Sequence, residues 1–419
     1  MMKKTFHLTV LSVANVLMNF SFQWYVIFQL GAGMETDALF AGMTIPQLIS
    51  AVVSGTLMHV LVPILVSNNV KRQRFVSWSL ITFIGSFFGT LSILLCVSAK
   101  WWIPLTVPGF DEQTTLLTIE LARIQLISIV FSSIYVIQLA FYYANKRFMF
   151  VESVAFLSNV TALLLLIFAL PQFGIISVAW IMTFKLFFQF LILFPGLGKP
   201  AWPNFKIPEI SLGWRRGKHL LLGTTYYMSE PLVERVLLSN ANSGSLSLFY
   251  LAQQIYGAIS EVISKVIANP FIPLLSELHE LKDQEGFKRI YHEKLMYVVM
   301  LSLIGTALFG IFGYFLLFTI NEYIKITKYD LDLLFIIMLS MIGRFALGNI
   351  GMIMSSMILS VGDTKLHTQI GIISFTIGVI IKIIMFNFFG VIGLALGITI
   401  NYIVYLFMLA SKIRYKYHI

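Results

Sequence analysis

Six cations and four acids stand inside long apolar runs of this 419-residue chain: Arg123, Lys185, Arg235, Lys265, Arg344 and Lys382, with Glu120, Glu230, Glu234 and Glu261. An ionisable group in hydrocarbon is expensive, so each marks a site hypothesis whose partner must be named. Glu120 and Arg123 are three residues apart, and Glu261 and Lys265 four apart. These spacings put each pair on one helix face, as a self-neutralised structural pair or as part of a site. Tyr227, Glu230 and Glu234 form one stripe, and Pro231 cannot donate to the carbonyl of Tyr227, so the helix should loosen there. Its acids then line a moving wall or meet cations of neighbouring segments. Arg235 and Arg344 have no acid assigned on their own helices and call for a distant acid or an anionic ligand. A guanidinium suits phosphate through its two-pronged geometry. Lys382, near an outer end, is expected to snorkel to the headgroups, as Lys185 could only with difficulty.

Asn15, Asn19 and Gln23 recur every four residues and make an uncharged polar stripe that avoids lipid. It faces either a hydrated cavity or hydrogen-bonding neighbours. Catalytic chemistry finds little support. The largest outer loops, near residues 100–114 and 321–330, hold no defensible set of base, acid and metal ligands. Cys96 is the only cysteine, which excludes an internal disulfide and a cysteine-rich metal site. GAGMET, residues 31–36, lacks the third glycine of a nucleotide-binding loop, and no Walker-type run occurs. The chain is therefore read as no enzyme, with no metal and no cofactor.

The elements that position these groups follow from composition. Hydrophobic residues make up 58%, charged residues 11%, and mean hydropathy is +0.86, values of an integral membrane protein. A bilayer core about 30 Å thick needs roughly 20 apolar residues per helix. Twelve runs qualify, near residues 5–30, 37–67, 75–99, 115–143, 149–170, 173–195, 219–241, 246–275, 295–320, 331–360, 366–388 and 390–411. They are long and continuously apolar, so the fold class is all-α and not a barrel. The net charge of +10 could point to nucleic acid, but twenty of the 29 Lys and Arg fall in loops of one side, and only Lys100, Lys325 and Lys328 in those of the other. This is the positive-inside pattern: both termini are cytoplasmic and no nucleic-acid partner is expected. The first run lacks a small-residue cleavage site and reads as a retained helix.

The longest connector, GLGKPAWPNFKIPEISLGWRRGKH at residues 196–219, lies mid-chain, with Trp202 and Trp214 suited to the cytoplasmic interface. It divides the chain into an N-terminal six-helix bundle at 1–195, an interfacial linker at 196–218 and a C-terminal six-helix bundle at 219–419. Two echoes support parallel repeats. LVPILVS around Pro63 matches FIPLLSE around Pro273, and FGIISVA at 173–179 matches FGVIGLA at 389–395, each about half a chain apart. Repeats about an axis along the membrane normal are a transporter architecture.

GAGMETDALF, residues 31–40, joins the first two spans on the outer side. Gly31 and Gly33 permit a tight turn, and Thr36 or Asp37 can cap the second helix. With its continuation to VPIL at residue 65, this stretch resembles the signature of the MurJ/MviN lipid II flippases. WWIPLTVPGF at 101–110, YYMSEPLVERVLLSNANSGSLSLFYLAQQIYG at 226–257 and GDTK at 362–365 resemble that family too. The resemblance covers nearly the whole chain. It implies the wider MOP group, which includes MATE drug antiporters and Wzx flippases, and it matches Asp37 to a functionally important aspartate. The chain departs from the family at its cavity arginines: the corresponding positions are Val16, Phe22, Ser50 and Gln253 or Gln254. It has twelve runs where the family has fourteen helices, and residues 5–30 lack the carboxylate of a MATE antiporter.

The expectation is then a flippase of the bacterial inner membrane that carries a polyprenyl-pyrophosphate-linked saccharide, such as an O-antigen or capsule unit, outward by alternating access. The alternative is a lipid II flippase; further alternatives are a MATE-type antiporter or a membrane glycan polymerase or ligase. Arg235, Arg344, Arg123 and Lys265 would offset the diphosphate charge in a hydrated cavity between the halves, with Glu230, Glu234 and Asp37 in the same site. Asn15, Asn19, Gln23, Gln253 and Gln254 would hydrogen-bond sugar hydroxyls. The expected partners are undecaprenyl-pyrophosphate-linked saccharide, membrane lipid, and polymerases or other proteins of envelope assembly.

Overall fold

The computed structural model describes residues 2–66, 69–204, 206–321 and 327–417, which are almost wholly helical. Lys325, one of the three cations assigned to the outer loops, lies outside the described residues. The helices are α1 (Met2–Leu30), α2 (Met34–Gly42), α3 (Thr44–Val66), α4 (Val70–Thr106), α5 (Glu112–Leu126), α6 (Ser128–Ala144) and α7 (Phe148–Leu193). They continue with α8 (Pro208–Met228), α9 (Glu230–Leu238), α10 (Ser245–Ile263), α11 (Asn269–Glu280), α12 (Gln284–Asn321), α13 (Lys328–Ser340), α14 (Ile342–Ser360) and α15 (Thr364–Tyr417). They form two compact units: Met1–Val26 with Gly33–Asn240, and Ile27–Ala32 with Ala241–Ile419.

Among the described residues, nine helical stretches are long and apolar enough to cross a membrane. Two of them are too long for a single crossing. A straight helix of the 54 residues of α15 would measure roughly 81 Å, against a hydrocarbon core of about 30 Å. Gly390 resolves this with φ 58° and ψ −138°, a backbone that L residues rarely adopt. Its two arms then run back along each other: a Cβ on Gly397 would lie 3.2 Å from the Lys382 Cα, and Ser374 donates to the Asn401 side chain at 3.2 Å. Gly174 does the same in α7, with φ 62° and ψ −157°. In a straight helix Asn159 and Lys185 would stand roughly 39 Å apart, yet they bond Asn15 and Asn19, about 6 Å from each other along α1. The two FG echoes read in the sequence are therefore the same device, a glycine reversal between consecutive spans. Gly390→Ala is expected to cost about 1–2 kcal/mol through left-handed strain, seen as a lower Tm in detergent.

Several spans are broken. Met43 separates α2 from α3, Ile127 α5 from α6, and Met341 α13 from α14, while Ser264–Ala268 is a π turn. The helix also breaks at Ser229, where Pro231 was expected to loosen it. Broken helices persist in a bilayer where neighbouring protein re-satisfies the backbone. GAGMETDALF is both turn and helix start. Gly31 has φ 78°, and the Thr36 hydroxyl accepts from the Gly33 N–H at 3.0 Å, so Thr36 helps close the start of α2.

The segment read as a linker is partly helical, because α8 begins at Pro208 and not near residue 219. It also packs on α3: a Cβ on Gly213 or Gly217 would touch Val60 at 3.7 and 3.6 Å. The seventh span thus belongs to the first unit, and the units divide at Asn240. The first unit is centred on Leu65, Val76, Tyr142, Leu193 and Leu197, the second on Leu275, Val298, Ile353, Met357 and Leu409. The outer faces are apolar as well, with Phe87, Ile93 and Val97 exposed on α4 and Leu303, Ile311 and Phe315 on α12, as lipid solvation requires.

Candidate functional site

A polar cluster within the spans of the first unit is built by α1 and both arms of α7. Asn15 and Asn19 are one turn apart, so their amides project from one face of α1. The buried Asn15 donates through Nδ2 to the Glu152 carboxylate at 2.8 Å and to the Glu152 carbonyl at 3.0 Å, and accepts from Asn159 at 3.3 Å. Lys185 donates from Nζ to the Asn19 side-chain oxygen at 3.0 Å. Among the described residues, Glu152 and Lys185 form no ion pair with each other. Each charge is held instead by an amide of α1. Glu152 was not among the acids singled out by sequence, because it stands only four residues inside its apolar run. Its signal was the run of one acid and one amide, Glu152 and Asn159, seven residues apart on one helix face.

The other candidates are spread over both units. Arg235 and Glu234 are buried at 3% and 2% exposure. Arg235 donates from Nε to the Thr44 hydroxyl at 3.3 Å, at the break between α2 and α3, and Asp37 is buried in α2 of the same unit. Glu230 is half-buried at the start of α9. The expected Glu120–Arg123 pair is not formed: Glu120 is exposed, and Arg123 donates from Nε to the Cys96 carbonyl at 3.1 Å. A second bond to a carbonyl of α4 thereby competes successfully with a side chain three residues away. Gln23 is buried on α1.

In the second unit, Lys265 pairs with Glu261 at 3.2 Å, as the four-residue spacing predicts. Gln253 and Gln254 are half-buried on α10. Arg344 is half-buried, and its guanidinium makes no hydrogen bond or ion pair with a described residue. Lys382 does not snorkel. It is 1% exposed, because the Gly390 reversal lays the second arm of α15 over it and Gly397 leaves room for its backbone.

The GDTK stretch ties the two ends of α15 together in this unit. Asp363 accepts from Lys416 and, at 2.8 Å, from Tyr417, tying the last turn of α15 to its first. The Lys416 ammonium holds the Asp363 carboxyl below the usual carboxylate range, against an opposing effect of burial. A depressed folded-state pKa means the tie is complete above about pH 4, the unfolded value, and weakens as pH falls through the lower folded value. Amide exchange at residues 412–417 should therefore accelerate on acidification below pH ~4, and Asp363→Asn should show the fast rate already at neutral pH.

Comparison with known proteins places these observations in a family. The model of the family described as Lipid II flippase MurJ matches residues 28–418. Two relatives, each named "Probable lipid II flippase MurJ", come from Buchnera aphidicola. The one from subspecies Schizaphis graminum is 24% identical over 406 residues, covering 92% of this chain and 78% of its own. The one from subspecies Acyrthosiphon pisum is 22% identical over 403 residues, covering 91% and 78%. Among solved structures, a lipid II flippase MurJ in an inward closed conformation superimposes with a TM-score of 0.83 at 18% identity, over 98% of this chain and 86% of that one. An inward-facing MATE multidrug transporter of the MOP superfamily gives 0.72 at 14% identity, over 97% and 94%. A match spanning all but the first 27 residues and the last one, on a fold of this likeness, shows that the chain is a multi-pass membrane protein belonging to the MurJ lipid II flippase family.

Proposed function

We propose that this protein is a lipid II flippase, moving the polyprenyl-pyrophosphate-linked peptidoglycan precursor outward across the inner membrane by alternating access. The observation that carries the reading is the family match over residues 28–418. The sequence alone had favoured an O-antigen or capsule unit, because the family's cavity arginines are missing and twelve runs stand where the family has fourteen helices. Those positions are taken up by packing: Val16 and Phe22 are buried at 5% and 4% exposure, and the Ser50 hydroxyl bonds that of Ser132 at 2.9 Å. The diphosphate must then draw its compensating charge from other residues, since an uncompensated anion in a low-dielectric interior is very costly. Arg344 and Lys185 meet this need. The first has no competing bond among the described residues, and the second is held only by a neutral amide. Within the first unit Lys185 could pass from Asn19 to an anionic group, and within the second the Arg344 guanidinium suits a phosphate through its fork.

The test is rescue of cells depleted of their own lipid II flippase, with membrane insertion of this protein verified. Restored growth supports the reading. Failure to rescue, together with loss of a surface polysaccharide on deletion of the gene, would return the reading to an O-antigen or capsule unit. Arg344→Ala is expected to lower rescue at least about ten-fold and Arg344→Lys less, the difference reflecting the lost fork.

A further inference from the structure

The start of α8 is fixed in rotation by three contacts inside the first unit. Arg72 donates to Glu209 through Nε at 2.9 Å and through a terminal nitrogen at 2.8 Å, a two-pronged pair at the first turn. Burial pushes the Glu209 carboxyl up, but the bonds and charge of Arg72 outweigh it and leave the group below the usual range, as expected of a working ion pair. One and two turns on, Gly213 and Gly217 lie against Val60 and Thr56 of α3. With that face occupied, the opposite face carries Trp214, Arg215, Lys218, Leu222 and Tyr226, spaced three and four apart. All are exposed, Trp214 at 66% and Leu222 at 73%. No acid stands on this stripe.

The order along the stripe follows the layers of a membrane surface. The preceding Lys199, Trp202 and Lys206 are exposed, Trp202 at 93%. Trp214 and Arg215 come next, Lys218 one turn deeper by about 6 Å, then Leu222. An indole belongs at the headgroup boundary, a lysine one turn below can reach back to it, and a leucine beyond belongs in hydrocarbon. Helices that end in water need no such gradation. A zwitterionic surface would be served by the tryptophans alone, whereas the acid-free pair Arg215 and Lys218 complements net negative charge.

We propose that this face of α8 binds the headgroups of anionic phospholipids in the cytoplasmic leaflet, with Arg215 and Lys218 on the phosphates and Trp214 at the glycerol level. The inference is independent of which substrate is carried. Bound there, lipid would hold the cytoplasmic start of α8 at fixed depth, above the break at Ser229.

The test uses the full-length protein in bilayers of phosphatidylcholine containing an equal fraction of either brominated phosphatidylglycerol or brominated phosphatidylcholine. The signal of Trp214 is taken as the difference between the native protein and Trp214→Phe. Quenching by the brominated anionic lipid should be several-fold stronger. Each charge removed in Arg215→Gln or Lys218→Gln should weaken that preference about five-fold, and added salt should weaken it too. Equal quenching by the two lipids would overturn the proposal, as would a preference unchanged in the doubly substituted protein. If that variant does not insert, the salt dependence of the native protein decides: a preference insensitive to salt overturns the proposal, and one that fades supports it.

Discussion

Asn15→Leu should lower the stability of the protein by about 2–3 kcal/mol, although it replaces a polar residue by an apolar one inside a membrane span. In the native protein the Asn15 amide serves the side chain and the carbonyl of Glu152 at once, at 2.8 and 3.0 Å, and accepts from Asn159. Leucine leaves the half-buried Glu152 carboxylate without that donor. A hydrogen bond to a charged group contributes about 1.5–3 kcal/mol, which exceeds the gain in apolar contact at this site. The same substitution in a Glu152→Leu background removes the stranded charge, so its cost should fall below about 1 kcal/mol. Unfolding of the four proteins in one detergent gives the coupling. Equal costs in both backgrounds would mean that Asn15 matters only for packing.

Gly393→Ala should have a larger effect, about 3 kcal/mol or more, and prevent recovery of monodisperse protein. A Cβ at residue 393 would overlap the main-chain carbonyl of Met385 and meet the Phe389 Cβ at 2.9 Å. These atoms belong to the opposing arm of α15 and cannot turn aside as a flexible side chain can, so relief requires the hairpin at Gly390 to open. Opening it would uncover Lys382, which the second arm buries. Gly89→Ala in α4 is the matched control: nothing lies within 4 Å of its Cβ, and alanine there should be neutral or stabilising by up to about 1 kcal/mol. Comparable losses from both would show that the hairpin contact does not limit folding.

What was legible in the sequence was what depends on local chemistry. Pro231 broke its helix for the reason given, removal of an N–H donor, and the two FG echoes marked the two glycine reversals. The four-residue spacing of Glu261 and Lys265 placed them on one helix face, where they form an ion pair. What failed depended on long-range packing. Lys382 looked close enough to an outer end to reach water, because nothing local shows that a second arm will cover it. Arg123 ignored Glu120 for a carbonyl 27 residues earlier. The helix that starts at Pro208 inside the basic, proline-rich connector is held by Arg72 and two glycines, contacts that its composition does not show. The polar stripe of Asn15 and Asn19 was visible, but its partners, 137 to 166 residues away, were not. The family resemblance read from short motifs was sound, while the substrate inferred from missing arginines was not the one the family favours.

We propose lipid II as the cargo, with Lys185 in the first unit and Arg344 in the second each contributing positive charge. The most direct measurement is translocation of fluorescent lipid II in vesicles containing the purified protein, read by the fraction of label that an impermeant reductant can reach. Lipid II should become wholly accessible with the native protein and only outer-leaflet label should be reached with the Lys185→Leu, Arg344→Ala variant. Inner-leaflet label that stays protected in the presence of correctly inserted native protein would contradict the account.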